Sequence, residues 1–160
     1  MGWAFRKKRG CTDLVLLLTS NWLLSFQRRL KVGVYLGDIS GAFDRVDATR
    51  LLDKLRRFGV CDKLLTLFEY FLAPRLARVA VDGSFSSDFV LQNMVFQGTV
   101  SGPSLWNINF ANVHEPAERN GAQERRFAHD LSVSEAYPRT VANEQVLSDL
   151  HKTQREIHAW

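Results

Sequence analysis

The stretch Arg126-Phe127-Ala128-His129-Asp130-Leu131-Ser132-Val133 places two adjacent polar residues between two apolar segments. Alternation of apolar and polar residues is typical of β-strands, and a short polar interruption is typical of a hairpin turn. We therefore predict a hairpin over about 124–135 that carries His129 and Asp130 at its tip. The tip matters because Asp38, at the end of another apolar strand, needs a partner carboxylate if it is to bind a cation.

A further strand is predicted over Lys31–Asp38. Residues 32–36 are almost continuously apolar, interrupted only by Gly33, which is typical of a strand covered on both faces. Asp38 stands where the apolar run ends, and Asp130 is the candidate for a partner carboxylate at the end of an adjacent strand. Carboxylates at such a place suit Mg²⁺, a hard cation. The alternative is that both are turn residues without a ligand.

The rest of the chain alternates between helical and strand-like patterns. We predict helices over 12–29, from the cap Asp47 to about Arg57, over 62–73, from Pro103 to about Arg119 and over 142–159, and a hairpin over 77–92 with its turn at Asp82-Gly83. This order predicts an α+β fold with an antiparallel sheet and helices on one face.

Composition and charge limit the class of protein. The chain has 160 residues, of which 46% are hydrophobic and 24% charged, which is typical of one globular domain or a piece of a larger one. The net charge is +4, and in residues 1–31 Asp13 is the only acidic side chain among several Lys and Arg. A basic end suits a polyanion such as nucleic acid, although it can also be a solvated surface.

The sequence favours an intracellular location, in the cytoplasm or nucleus. Cys11 and Cys61 lack ligand-like spacing and are expected to be buried thiols of a reducing compartment. The apolar run Leu14–Leu18 imitates a signal peptide, but Asp13 and Asn21 interrupt it and no small-residue cleavage site follows. The run is also too short to span a membrane.

Four segments together resemble the reverse transcriptases of non-LTR retrotransposons. They are Ala4–Asp13, similar to the segment that opens the family's first long helix; Asp38–Val46, similar to its first palm motif; Phe96–Asn107, similar to its second motif, usually Pro-Gln-Gly-Ser-x-Leu-Gly-Pro-x-Leu-Phe-Asn; and Phe127–Asp130, similar to its Phe/Tyr-Ala-Asp-Asp box. The four segments stand in the family's order and spacing across nearly the whole chain.

The resemblance implies a fold and a reaction. The fold is a right-hand polymerase palm with a fragment of the fingers, in which residues 1–30 form a fingers-side segment and helix and residues 31–160 form the palm, truncated before the thumb. The reaction is RNA-templated DNA synthesis from dNTPs at a primer 3′-hydroxyl, with two Mg²⁺ ions or with Mn²⁺. The implied partners are an RNA template, a DNA primer and the rest of a polyprotein, such as fingers, thumb and an endonuclease.

The resemblance also implies roles for individual residues. The hairpin would lie beside the Lys31–Asp38 strand, so that Asp38 and Asp130 would be near each other and bind metal, with the carbonyl of Ile39 as a further ligand. Phe43 would lie below the sugar of the incoming nucleotide, and Gln97 and Gly98 would lie against nucleotide and template. Phe127 would pack under the carboxylates, and Arg6 and Arg9 would contact template phosphates. For each residue, packing or solvation is the alternative.

One departure from the family bears directly on activity. His129 stands where the catalytic box carries its main aspartate, so the box is degenerate. Imidazole is a poor ligand for Mg²⁺, and the exchange removes a negative charge from a site for two dications. We predict that this copy is inactive or strongly impaired. The alternatives are a non-catalytic palm remnant that binds nucleic acid, a functionless fragment of a decayed element, a Zn²⁺ site at His129, or a group II intron-type or telomerase-like polymerase.

Overall fold

The computed structural model describes residues 2–92 and 94–159, and the chain divides into two compact units, Met1–Ser40 with Phe110–Trp160, and Gly41–Asn109. In chain order the elements are α1 (Cys11–Gln27), β1 (Leu30–Asp38), a 3₁₀ turn (Phe43–Arg45), α2 (Ala48–Arg57), α3 (Asp62–Leu72), β2 (Arg75–Ala77), β3 (Ala80–Val81), β4 (Ser84–Phe85), β5 (Phe89–Leu91), α4 (Gly102–Asn109), α5 (Glu115–Arg119), β6 (Gln123–Phe127), β7 (Asp130–Pro138) and α6 (Asn143–His158). The predicted α+β class with antiparallel sheets is confirmed, as expected of a palm-like fragment. Within the described ranges, no helix has the length and hydropathy that a membrane span requires.

The first unit is built on a three-stranded antiparallel sheet in the order β1-β7-β6. The pairing of β1 with β7 runs from Leu30 opposite Pro138 to Asp38 opposite Asp130, and β6 pairs with β7 up to Phe127 opposite Asp130. The predicted hairpin and its place beside the Lys31–Asp38 strand are therefore confirmed.

One face of this sheet packs on α6. Gly33 of β1 is buried, and a Cβ atom added there would lie 2.7 Å from Val146 and 3.1 Å from Leu150. Tyr35, on the same face, meets His158 with its hydroxyl 3.0 Å from Nε2. Since side chains alternate along a strand, residues 34, 36 and 38 lie on the opposite face.

The second unit contains a helical core. Asp47 caps α2 as predicted, with its Oδ1 accepting a hydrogen bond from the Arg50 N–H at 2.8 Å. Leu51 and Leu55 of this helix are fully buried. The helix packs against α3 and α4. The predicted helix over 62–73 is confirmed by α3, and Gly59 ends α2 with the positive φ of 79° that favours glycine.

The single helix predicted over 103–119 is wrong, because the structure has two helices, α4 and α5, with a turn over residues 110–114. Pro116 lacks the N–H that a continuous helix would bond to the carbonyl of Asn112. Pro116 lies in the first turn of α5 instead, where that donor is not needed. The guanidinium of Arg126 donates to the carbonyls of Phe110 and Ala111, next to the break.

The hairpin predicted over 77–92 is confirmed only in part. Two short ladders replace one continuous ladder, with β2 paired to β5 and β3 paired to β4. Between them, the Ser86 hydroxyl accepts from the Val79 N–H at 2.9 Å, a side-chain bond that takes the place of a ladder bond. The turn at Asp82-Gly83 is as predicted, with positive φ at both residues.

Two predictions of burial are wrong. Cys11 and Cys61 are both exposed. Cys11 is the first residue of α1 and Cys61 directly precedes α3, so both stand at a helix N-terminus and not in its interior. On α1 only Leu14 and Leu18 are buried, whereas Phe26 is 50% exposed. The rest of the first unit therefore covers a smaller part of α1 than its apolar residues occupy.

Candidate active site

The tip of the β6–β7 hairpin is a two-residue turn. Phe127 and Asp130 form the last pair of the ladder, so Ala128 and His129 are the central turn residues. Ala128 has a positive φ of 52°, a conformation that costs a non-glycine residue about 1 kcal/mol. The N–H of Ile39 donates to the carbonyl of His129 at 3.3 Å and ties the turn to the end of β1. The backbone that carries the candidate site is therefore held from both sides.

Three metal-ligating side chains meet at this end of the sheet. Asp38, His129 and Asp130 each offer one ligand atom, and the three atoms lie within 4.8 Å of one another. The Nε2 of His129 is 3.5 Å from the Oδ1 of Asp38. Asp38 and Asp130 lie on the same face because residues directly opposite in an antiparallel pair point to the same side. All three residues are exposed, so an ion held by them would keep positions open to water or phosphate.

The same face of the sheet continues away from this triad. The next pairing row contains Leu36, Ser132 and Arg125, and Leu36 is 68% exposed. Beyond this row, a cavity of about 350 Å³ opens between α1 and the sheet. Sequence reasoning did not assign Leu36 or Arg125 to the site, although their spacing of two residues from Asp38 and Phe127 was a usable signal.

The basic segment near the N-terminus is attached to the same sheet. Arg6, Lys7, Lys8 and Arg9 are all exposed. The N–H of Trp3 donates to the Arg126 carbonyl at 3.0 Å on the edge strand β6, and the Arg9 guanidinium lies 4.3 Å from the centre of the Trp3 ring. Trp3 was missed by sequence reasoning, since nothing in a lone tryptophan before a basic run indicates such an anchor.

A buried ion pair lies on β6, the first strand of the hairpin. The side chains of Glu124 and Arg126 are each 5% exposed, and the Arg126 Nε lies 3.7 Å from the Glu124 Oε1. Burial raises the pKa of Glu124, and the charge of Arg126 partly opposes that rise. Burial also lowers the pKa of Arg126. The pair is a structural part of β6 that lies on the face opposite the triad.

The remaining predicted site residues belong to the second unit. Phe43 is half-buried and stacks on Trp106 at 5.4 Å between ring centres, and its carbonyl accepts from the Val95 N–H at 2.8 Å. Gln97 and Gly98 are exposed in the loop before α4, and Gly98 has a φ of 77°. Within that unit Phe43 packs on Trp106, and its role toward a nucleotide stays a prediction. The structure brings together Asp38, Ile39, Phe127, His129 and Asp130 in the first unit.

An antiparallel sheet that ends in clustered cation ligands, with a basic segment on its edge, is typical of metal-dependent proteins that act on nucleotides or nucleic acids. The family model for reverse transcriptase (RNA-dependent DNA polymerase) matches residues 3–157. The chain belongs to this family, whose activity is RNA-templated DNA synthesis on a nucleic-acid template and primer with divalent metal ions. A search of curated proteins found no match.

Proposed function

We propose that this chain is a partial palm of the non-LTR retrotransposon type of reverse transcriptase, and that its polymerase activity is absent or strongly impaired. The observation that carries this proposal is the pairing of Asp38 with Asp130, with His129 in the adjacent turn. The intact pairing supports descent from a catalytic palm. The identity of residue 129 supports the loss of activity.

The side chains of the triad do not fit a pair of Mg²⁺ ions. Two-metal sites hold their ions about 3.5–4 Å apart and need enough negative charge to offset both. Here two carboxylates are present, and the third donor is an imidazole, which Mg²⁺ binds poorly. Loss of one preorganised charged group commonly lowers the rate about 10²-fold or more. Phe96 and Ser101, in place of the family's Pro and Leu, add to the departure.

The same proposal gives a role to each part of the chain. Residues 1–30 would be the fingers-side segment and residues 31–160 the palm, with fingers, thumb and an endonuclease supplied by other parts of a polyprotein in the cytoplasm or nucleus. Gln97, Gly98 and Phe43 would serve the nucleotide and template. The half-buried Phe127, which pairs with Asp130, would support the carboxylates from the edge strand.

Primer extension tests the proposed impairment. An RNA template, an annealed DNA primer, dNTPs and Mg²⁺ are incubated with the chain and with its His129→Asp variant. We expect the variant to extend the primer at least about 10²-fold faster, because it restores a charged oxygen ligand. Asp38→Asn in the variant should abolish the gain, and His151→Asp, at an exposed position of α6, should give none. Measurable extension by the unmodified chain at the rate of the His129→Asp variant would contradict the proposal.

A second candidate function is nucleic-acid binding without catalysis. It is favoured by the exposed residues Arg6 to Arg9 and by their attachment to the sheet through Trp3. Binding of this kind weakens with salt, because each neutralised phosphate releases counterions. Replacement of Arg6 and Arg9 by Gln should lower both affinity and salt dependence, whereas Lys152→Gln on α6 should not. A binder should also be indifferent to Asp38→Asn, which separates this function from polymerase activity.

A further inference from the structure

We infer that Asp38, His129 and Asp130 form a site for one first-row transition dication of the Zn²⁺ or Co²⁺ type, which they bind in preference to Mg²⁺. The inference deepens the proposed function, since it names the metal class of the same site. It rests on that proposal for the location of the site, whereas the donor set is read directly from the side chains.

Two of the three donors stand at the spacing of two ligands on one ion, and the third lies close by. Two ligand atoms about 2.1 Å from a tetrahedral ion lie about 3.4 Å apart. The distance between the His129 Nε2 and the Asp38 Oδ1 is 3.5 Å, and the Asp130 ligand atom completes a set within 4.8 Å. Three protein ligands with a fourth position left to water is the usual composition of an open zinc site.

The backbone holds these donors in place before any ion binds. Asp38 and Asp130 are fixed opposite each other by the β1–β7 ladder, and His129 is fixed by the two-residue turn and by its carbonyl bond from the Ile39 N–H. The donors then need only side-chain rotations to close on an ion. Because all three side chains are exposed, such rotations meet no packed core.

The chemistry of the donors selects the ion. Imidazole favours Zn²⁺, Co²⁺, Ni²⁺ and Cu²⁺, whereas Mg²⁺ prefers oxygen ligands in an octahedron. The two carboxylates of Asp38 and Asp130 neutralise one dication, and nothing in the triad offsets the charge of a second. The exchange of one carboxylate for His129 therefore changes both the number and the kind of ion that the site takes.

Cobalt absorption tests the inference without any enzyme assay. The full chain carries Cys11→Ser and Cys61→Ser, so that the two exposed thiols do not bind the probe. Serine at position 61 also suits the residue before α3, which is its N-cap. Co²⁺ is titrated while its visible bands are recorded, and Zn²⁺ and Mg²⁺ are then added as competitors. We expect one Co²⁺ per chain, displacement by an equivalent of Zn²⁺, and retention in a hundredfold excess of Mg²⁺.

Variants separate this site from other histidines. His129→Ala should weaken Co²⁺ binding at least about tenfold, because it removes the nitrogen ligand. The control His151→Ala, at an exposed histidine of α6, should leave binding unchanged. His129→Asp should lower the preference for Co²⁺ over Mg²⁺ by a similar factor.

Three outcomes would overturn the inference: no Co²⁺ bound, binding unaffected by His129→Ala, or displacement by Mg²⁺ at equal concentration. These outcomes are distinct from failure of the proposed function. Primer extension by the unmodified chain would refute the impairment and leave the cobalt result to stand by itself. A failed cobalt titration with an inactive chain would overturn the metal assignment alone.

Discussion

Arg126 is the residue whose removal should most weaken the hairpin that carries the triad. Its side chain is 5% exposed, donates to the carbonyls of Phe110 and Ala111, and lies against the equally buried Glu124. The substitution Arg126→Met keeps an apolar chain of similar length but removes the charge and every donor. It removes the Arg126 donors from the carbonyls of Phe110 and Ala111, of which Ala111 still has the His114 ring nitrogen at 2.8 Å, and it leaves a buried carboxylate without its counter-charge.

The expected loss follows from these contacts. Removing one member of a buried ion pair costs about 3–5 kcal/mol, since the other member stays buried and uncompensated. Small domains have a total stability of about 5–15 kcal/mol, so the change is a large share of the whole. The Oε1 of Glu124 has no hydrogen-bond partner among the described residues even before the change. No hydrogen bond to this oxygen would therefore compensate for the missing charge of Arg126.

The loss should also depend on pH, because Glu124 titrates. Burial raises the pKa of Glu124 above its ordinary value of 4.5, and Arg126 opposes the rise. Without Arg126 the pKa of Glu124 in the folded chain is higher still. A carboxyl with a raised folded pKa binds more protons in the folded state, so it lowers the free energy of unfolding as the pH rises above about 4.5. The deficit of Arg126→Met should therefore be smaller at pH 4 than at pH 7.

Urea denaturation followed by circular dichroism measures these quantities. The unfolding free energies of the chain, of Arg126→Met and of Arg126→Met/Glu124→Gln are compared between pH 4 and pH 7. The added Glu124→Gln should remove most of the pH dependence, because the titrating group is gone. Arg155→Met, at an exposed position of α6, is the control and should change stability by less than about 0.5 kcal/mol. A loss below about 1 kcal/mol for Arg126→Met at pH 7, or equal losses at both pH values, would refute the reasoning.

Two further predictions concern packing and capping. Gly33→Ala should destabilise the chain by about 1–3 kcal/mol in urea denaturation, because the new Cβ would lie 2.7 Å from Val146. Gly37→Ala is its matched control on the same strand and should be nearly neutral, since its Cβ meets only the far end of the Tyr35 side chain; equal losses at both positions would contradict this. Asp47→Ala should cost about 1 kcal/mol by removing the cap of α2, and an unchanged denaturation midpoint would argue against the cap.

Much of the first unit could be predicted from the sequence, because its elements carry strong local signals. The apolar run that ends in Asp38 predicted one strand end, and the polar tip at His129 and Asp130 predicted another. The pairing of the two strands was predicted from the order of the four segments that resemble the family. The positions of β1, β7 and α6 agree with these predictions to within a few residues.

The predictions failed where the structure depends on distant partners. The break after α4 depends on Pro116 and on Arg126, which satisfies carbonyls sixteen and fifteen residues away. The split of the β2–β5 hairpin depends on a hydroxyl of Ser86 that competes with the backbone. The attachment of the basic segment to the sheet depends on Trp3, whose partners are Arg126 on β6 and Arg9 in the basic segment itself. None of these contacts leaves a periodic trace in the sequence.

Residue 129 lies in a two-residue turn, where its side chain can serve the metal site without holding the fold together. The side chain of His129 is 47% exposed, and the ladder beside it is held by backbone bonds and by the pairs Phe127–Asp130 and Asp38–Asp130. We therefore expect exchange of histidine and aspartate at this position to change the free energy of unfolding very little. A screen that reports only on folding would therefore not detect which residue stands at position 129, whereas a screen for metal binding would.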